Sequence, residues 1–123
     1  MGQFSPPRPI ALVVEDDAMQ RATAAMVLED NGVEVVECDC AEAALRVLDK
    51  MGGCFSLIFT DVNLGGEIDG VELAEFAHHC YPDLRVVITS GLALPRAAPE
   101  GSIFIPKPWA ARDLVRQAEQ SQH

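Results

Sequence analysis

The sequence predicts one α/β domain built on a five-stranded, doubly wound parallel sheet. Three observations predict it. Five short apolar runs alternate with segments of helical periodicity, the pattern of βαβ units. Several of those runs are apolar on both faces, as strands covered by helices on both sides are. The 123 residues, 49% hydrophobic and 23% charged, match an ordinary globular composition and suit one core.

Ile10–Val14 is the first apolar run and ends in Glu15-Asp16-Asp17. Residues 18–30 are Ala-rich, free of Pro and Gly, and closed by Asn31-Gly32, so they read as a helix with a C-terminal stop. Val33–Glu37 alternates in part and reads as a second, less covered strand. Asp39 or Cys40 then precedes a helix in which Ala41, Ala44, Leu45 and Leu48 share one stripe, ended by Gly52-Gly53. The third strand runs from Phe55 to Thr60 and ends at Asp61. After a Gly-rich loop, Gly70 opens a helix with Leu73, Phe76, Ala77 and Cys80 as its stripe, and Tyr81-Pro82-Asp83 stops it. Arg85–Thr89 is the fourth strand, ending in Ser90-Gly91; Ser102–Ile105 is the fifth, ending in Pro106-Lys107-Pro108. A last helix is predicted from Trp109 to about Glu119, with Ala111, Leu114, Val115 and Ala118 as its stripe. Between the fourth and fifth strands, Pro95 and Pro99 allow at most a turn or two, so the fourth helix is shortened or missing. The domain is expected over residues 9–120, with a disordered leader at 1–8 and a tail at 121–123.

Nine basic residues against nineteen acidic give a net charge of −10, which excludes a generic nucleic-acid or anionic-membrane binder. The apolar runs are too short to span a membrane, and Pro6, Pro7 and Pro9 interrupt any export signal. A cytoplasmic protein with reduced cysteines at 38, 40, 54 and 80 is therefore expected. Cys38 and Cys40 are too close for the usual zinc spacing. His78, His79 and Cys80 diverge around a helix and read as surface histidines beside a half-buried thiol.

In a doubly wound sheet, ligands bind beyond the carboxyl ends of the strands. Here those ends carry Glu15, Asp16 and Asp17 after the first strand and Asp61 after the third. Ser90 follows the fourth and Lys107 the fifth. Carboxylates gathered this way repel unless a cation lies among them, and an oxygen-only set suits a hard divalent ion, Mg²⁺ above all. A carboxylate beside a cation and an ammonium is equipped to accept a phosphoryl group. Taken singly, the acids would serve as helix caps, and Asp17 is left in that role.

Five segments, in order, resemble the receiver domain of two-component response regulators over essentially the whole chain. Val13-Val14-Glu15-Asp16-Asp17 resembles the acidic motif and Phe59-Thr60-Asp61-Val62-Asn63-Leu64 the phosphoacceptor segment. Asp69-Gly70-Val71-Glu72-Leu73 resembles the start of the third helix. Val87-Ile88-Thr89-Ser90-Gly91 resembles the switch-hydroxyl segment, and Ile105-Pro106-Lys107-Pro108-Trp109 the Lys-Pro-aromatic motif. The resemblance implies a (βα)5 fold of the flavodoxin/CheY-like kind with strand order 2-1-3-4-5. It implies that Asp61 is the phosphoacceptor and that Mg²⁺ is held by Asp16, by Glu15 through water, by Asp61 and by the backbone carbonyl of Asn63. Ser90 and Lys107 would bind the phosphoryl group, Phe104 would be the switch aromatic, and the Lys107–Pro108 peptide would be cis. Ser90 is assigned over Thr89 because a small residue, Gly91, follows it.

The loop Gly65-Gly66-Glu67-Ile68 departs from the family's usual Leu-Pro turn, and Glu15 replaces its commoner Asp. The reduced fourth helix is similar to that of some single-domain receivers and argues against a standard dimer through that face, leaving a monomer or weak dimer. The resemblance implies a phosphoacceptor regulator, not an enzyme, served by a histidine kinase or histidine phosphotransfer protein and read by a downstream protein, with no nucleic acid or membrane partner. Two other readings compete with this one. A degenerate, unphosphorylated interaction module is opposed by the complete acid, hydroxyl and lysine set. A haloacid-dehalogenase-like phosphatase is opposed by a nucleophile after the third strand instead of the first.

Overall fold

A computed structural model describes residues 8–121. The expected leader, Arg8 apart, and the end of the expected tail lie outside the described residues. The elements follow in order: β1 (Ile10–Val14), α1 (Ala18–Glu29), β2 (Glu34–Cys38), α2 (Ala41–Met51), β3 (Leu57–Asp61), α3 (Gly70–Cys80), β4 (Arg85–Ser90), β5 (Ile103–Pro106) and α4 (Ala111–Gln120). The sheet is parallel throughout, with strand order β2-β1-β3-β4-β5, as expected.

Alternate strand residues feed opposite layers. Leu12, Val14, Ile58, Val86 and Ile88 pack with Ala41, Ala44 and Leu48 of α2 and Val71, Leu73, Ala74 and Ala77 of α3. Ala11, Val13, Leu57, Phe59, Val87 and Ile105 pack with Ala24 and Leu28 of α1 and Leu114 and Ala118 of α4. β3 is buried at every position, which explains its uninterrupted apolar run. β2 is an edge strand and mostly half-buried or exposed, in keeping with its partial alternation.

Two stripes differ from expectation. In α3 the buried face is Gly70, Val71, Leu73, Ala74 and Ala77, whereas Phe76 is 41% exposed and Cys80 is also exposed. Phe76 is one residue, about 100° of helix, away from Ala77 and lies on the flank of the stripe. The last helix starts at Ala111, not Trp109. Trp109 is instead held edge-on to Phe59 at 5.4 Å, and the Ala110 N–H donates to the Asp113 carboxylate at 3.0 Å. That bond satisfies a backbone donor the helix itself leaves free.

Among the described residues no helix joins β4 to β5. The connection is held by side chains. Leu94 and Ala98 pack on the α2–α3 side of the core. Arg96 pairs with Asp69 at 3.3 Å and Glu75 at 2.7 Å, tying the segment to α3.

The register sets the site. Thr60 lies opposite Val14 and Ile88, Asp61 opposite Thr89, and Ser90 opposite Pro106, so the strand ends converge. Gly70 brings α3 against this edge. Its N–H donates to the Val62 carbonyl at 2.8 Å, and a Cβ there would overlap the Asp61 carbonyl. Backbone on both sides leaves no flexible end to yield. Gly70→Ala should therefore lower unfolding stability by about 1–3 kcal/mol in urea titration, the usual cost of forced overpacking; an unchanged midpoint would contradict this close approach.

Candidate functional site

Glu15 and Asp61 are almost fully buried and Asp16 is exposed, yet one carboxylate oxygen from each lies within 4.8 Å of the others. Local structure explains how they are held. The Glu15 N–H donates to the Cys38 carbonyl at 3.1 Å, and the Glu15 carboxylate accepts from the Asp17 N–H at 3.1 Å. Arg21 donates to the Glu15 carbonyl at 2.9 Å and pairs with Glu37 at 3.4 Å, bracing the β1–α1 loop against β2. Asp17 caps α1, accepting from the Gln20 N–H at 2.9 Å, so it stands apart from the cluster in the capping role expected of it. Around Asp61, the Thr60 hydroxyl donates to the Asp61 carbonyl at 2.9 Å and the Val62 N–H donates to the Thr89 carbonyl at 3.1 Å.

Lys107 closes the cluster. Its N–H donates to the Ser90 carbonyl at 2.9 Å, and the Lys107–Pro108 peptide is cis. Its ammonium donates to Asp61 at 2.9 Å, Glu15 at 3.2 Å and Gln20 at 2.6 Å. The Ser90 hydroxyl, buried at the end of β4, accepts from the Leu92 N–H at 3.1 Å. The neighbouring Thr89 hydroxyl is buried without a hydrogen-bond partner among the described residues. Asn63 is exposed in the loop two residues past Asp61. Phe104 stands on β5 with 40% of its surface exposed, outside the cluster. Glu15, Asp16, Asp61 and Lys107 thus meet, Ser90 is joined to Lys107 through its carbonyl, and Asn63 and Phe104 are exposed.

The electrostatics follow from burial and proximity. Burial, with the nearby Asp61 charge, pushes the Glu15 carboxyl up to about 7, against the opposing bond from Asp17 and the Lys107 ammonium. For Lys107 burial works against the charge, but the bonds and charges of Asp61 and Glu15 outweigh it and raise the ammonium above its ordinary value. Three carboxylates balanced by one ammonium leave an excess of negative charge. The all-oxygen donor set fits a hard divalent cation.

Gln20 and Arg21 escaped the reading of the sequence. Gln20 follows Asp16, and Arg21 follows Asp17, by four residues, a spacing that returns a side chain to the helix start. Gln20 also lines an open groove of about 620 Å³ with Met19, Thr23, Lys107, Pro108 and Trp109.

A parallel sheet with a buried acid, a paired lysine and a hydroxyl at adjoining strand ends defines a phosphoacceptor domain. Residues 11–119 match the response regulator receiver domain family, and the chain belongs to it. It is a receiver domain of two-component response regulators. It is 34% identical over 113 residues to the response regulator receiver protein CpdR of Brucella abortus (strain 2308), covering 88% of this chain and 92% of that protein. It is 30% identical to the sensor kinase CckA of the same strain, covering 85% of this chain and 11% of that longer protein. A solved structure of the receiver domain from the hybrid histidine kinase CckA superposes with a TM-score of 0.79 at 31% identity, covering 93% of this chain and 99% of that one. Among the described residues no helix is long and apolar enough to cross a membrane.

The Glu15 environment has a pH signature. A carboxyl that titrates near 7 when folded and near 4.5 when unfolded binds an extra proton in the folded state between those values. Its contribution to stability is complete below pH 4.5 and declines as pH rises toward 7. Without divalent cations, the urea midpoint of wild type relative to Glu15→Gln should fall across that window and then level off. A constant difference would contradict the assignment.

Proposed function

We propose that Asp61 accepts the phosphoryl group, and the single observation that carries this is the 2.9 Å bond between the Lys107 ammonium and the buried Asp61 carboxylate. The proposed donor is a phosphohistidine on a histidine kinase or a histidine phosphotransfer protein; the likeness to a hybrid kinase's receiver domain supports this class of donor. An Asp61 carboxylate oxygen attacks phosphorus, a P–O bond forms, the P–N bond breaks, and the imidazole leaves with a proton.

The chain's own residues divide the work. Glu15, Asp16 and Asp61, with the Asn63 carbonyl, would hold Mg²⁺, which when bound supplies positive charge against the phosphoryl oxygens. Lys107 lies within bonding reach of Asp61 and takes up a phosphoryl oxygen as the acyl phosphate forms. Phosphorylation adds about −1.5 to −2 charges and three acceptor oxygens, and Ser90 on the neighbouring strand end donates to one of them. To do so its hydroxyl turns inward and gives up the bond from Leu92.

Leu92 lies near the start of the connection that replaces a helix, and Phe104 lies just past its end, exposed on β5. We infer that the segment from Ser90 to Phe104 is the element whose arrangement a downstream protein reads. Phe104 moves toward burial beneath it, worth about 1.5–3 kcal/mol for a large apolar side chain fully covered.

Incubation with acetyl phosphate and Mg²⁺, followed by intact mass, should add one phosphoryl group to wild type. Asp61→Asn and Asp16→Ala should add none. Ser90→Ala should take the group yet lose most of the phosphorylation-dependent change in partner affinity. Equal modification of Asp61→Asn would move the acceptor elsewhere, and steady release of phosphate without a modified protein would indicate a phosphatase.

A further inference from the structure

We propose that Gln20 is a positioning residue for phosphoryl transfer, acting through Lys107; the proposal rests on Asp61 being the acceptor. A lysine ammonium has three N–H donors. Here all three have acceptors, and the shortest of the three bonds, 2.6 Å, is to the Gln20 side-chain oxygen, against 2.9 Å to Asp61 and 3.2 Å to Glu15. The three acceptors are not equivalent. Asp61 changes from carboxylate to acyl phosphate during the reaction. Glu15 belongs to the cation-holding set. Gln20 is neutral, binds no proton and belongs to neither set, so its hold on the ammonium survives each step.

Its own position is secured. The Gln20 backbone N–H is taken by the Asp17 cap at the start of α1, which fixes the turn carrying the side chain. The Lys107 backbone is fixed by its bond to the Ser90 carbonyl. The long lysine side chain is thus anchored at its base by β4 and at its tip by α1. When Asp61 gives up its oxygen to the phosphoryl group, the ammonium pivots on Gln20 and Glu15 instead of moving into solvent. A misplaced group near the reacting atoms can cost about 10²-fold in rate; an exposed anchor such as Gln20 should cost less, about 3- to 10-fold.

The chain has only two lysines, Lys50 and Lys107, and Lys50 is exposed, so ¹⁵N-lysine labelling resolves the ammonium of interest. The experiment compares wild type, Gln20→Met, which keeps the length without the acceptor, and Gln20→Glu, which keeps an oxygen at the same reach. Gln20→Met should speed proton exchange at the Lys107 ammonium about fivefold or more, leave Lys50 unchanged, and slow phosphorylation by acetyl phosphate about 3- to 10-fold. Gln20→Glu should recover both to within about twofold of wild type. Unchanged exchange in Gln20→Met would overturn the anchor, as would a slowed reaction without faster exchange. Wild-type protein that takes no phosphoryl group while Lys107 exchange responds to Gln20→Met would overturn the acceptor reading, and with it the role in transfer, but not the contact.

Discussion

Everything at this site depends on electrostatic repulsion held in check. The parallel register carries Glu15, Asp16 and Asp61 to one edge, and two of the three are buried. Like charges so placed in a poorly solvated site are costly unless protonated or matched by a cation. Lys107 supplies one positive charge, but burial, together with the Asp61 charge, still holds the Glu15 carboxyl above its ordinary value. The same imbalance that burdens the folded chain gives the crevice its chemistry. It favours a divalent cation, whose charge offsets that of the gathered carboxylates.

The surroundings serve this arrangement more than they serve general stability. Gly70 leaves no Cβ beside the Asp61 carbonyl, so α3 can begin directly behind Asp61. Arg21 braces the loop bearing Glu15, and Asp17 caps α1 while leaving its neighbour Asp16 free. On the far side, the β4–β5 connection has no helix of its own. Its exposed Arg96 pairs offer little energy individually, as surface ion pairs do, so they hold this segment only weakly.

Much of this was legible in the residues. Runs apolar on both faces announced a covered parallel sheet, and the acids, hydroxyl and lysine at successive strand ends announced one crevice. Pro95 and Pro99 announced the missing helix. Illegible were features decided by a side chain's neighbours across the fold. Phe76 fits an apolar period, but packing selected the stripe beginning at Gly70 and Val71, leaving Phe76 on its flank. Trp109 suits a helix start, but contact with Phe59 holds it outside α4. Gln20 escaped the reading because its partner lies 87 positions away in the chain.

The central claim is that the Lys107 ammonium and a divalent cation relieve the same repulsion. The most direct test is the urea midpoint of wild type and Lys107→Met across a Mg²⁺ titration near pH 7.5. Without Mg²⁺, the variant should be less stable by about 1–3 kcal/mol, the scale of a hydrogen bond to a charged group with its partner left unpaired. Freed of the competing ammonium, its site should bind Mg²⁺ more tightly, so the gap should narrow as the ion is added. A gap that stays constant at every Mg²⁺ concentration would contradict the account.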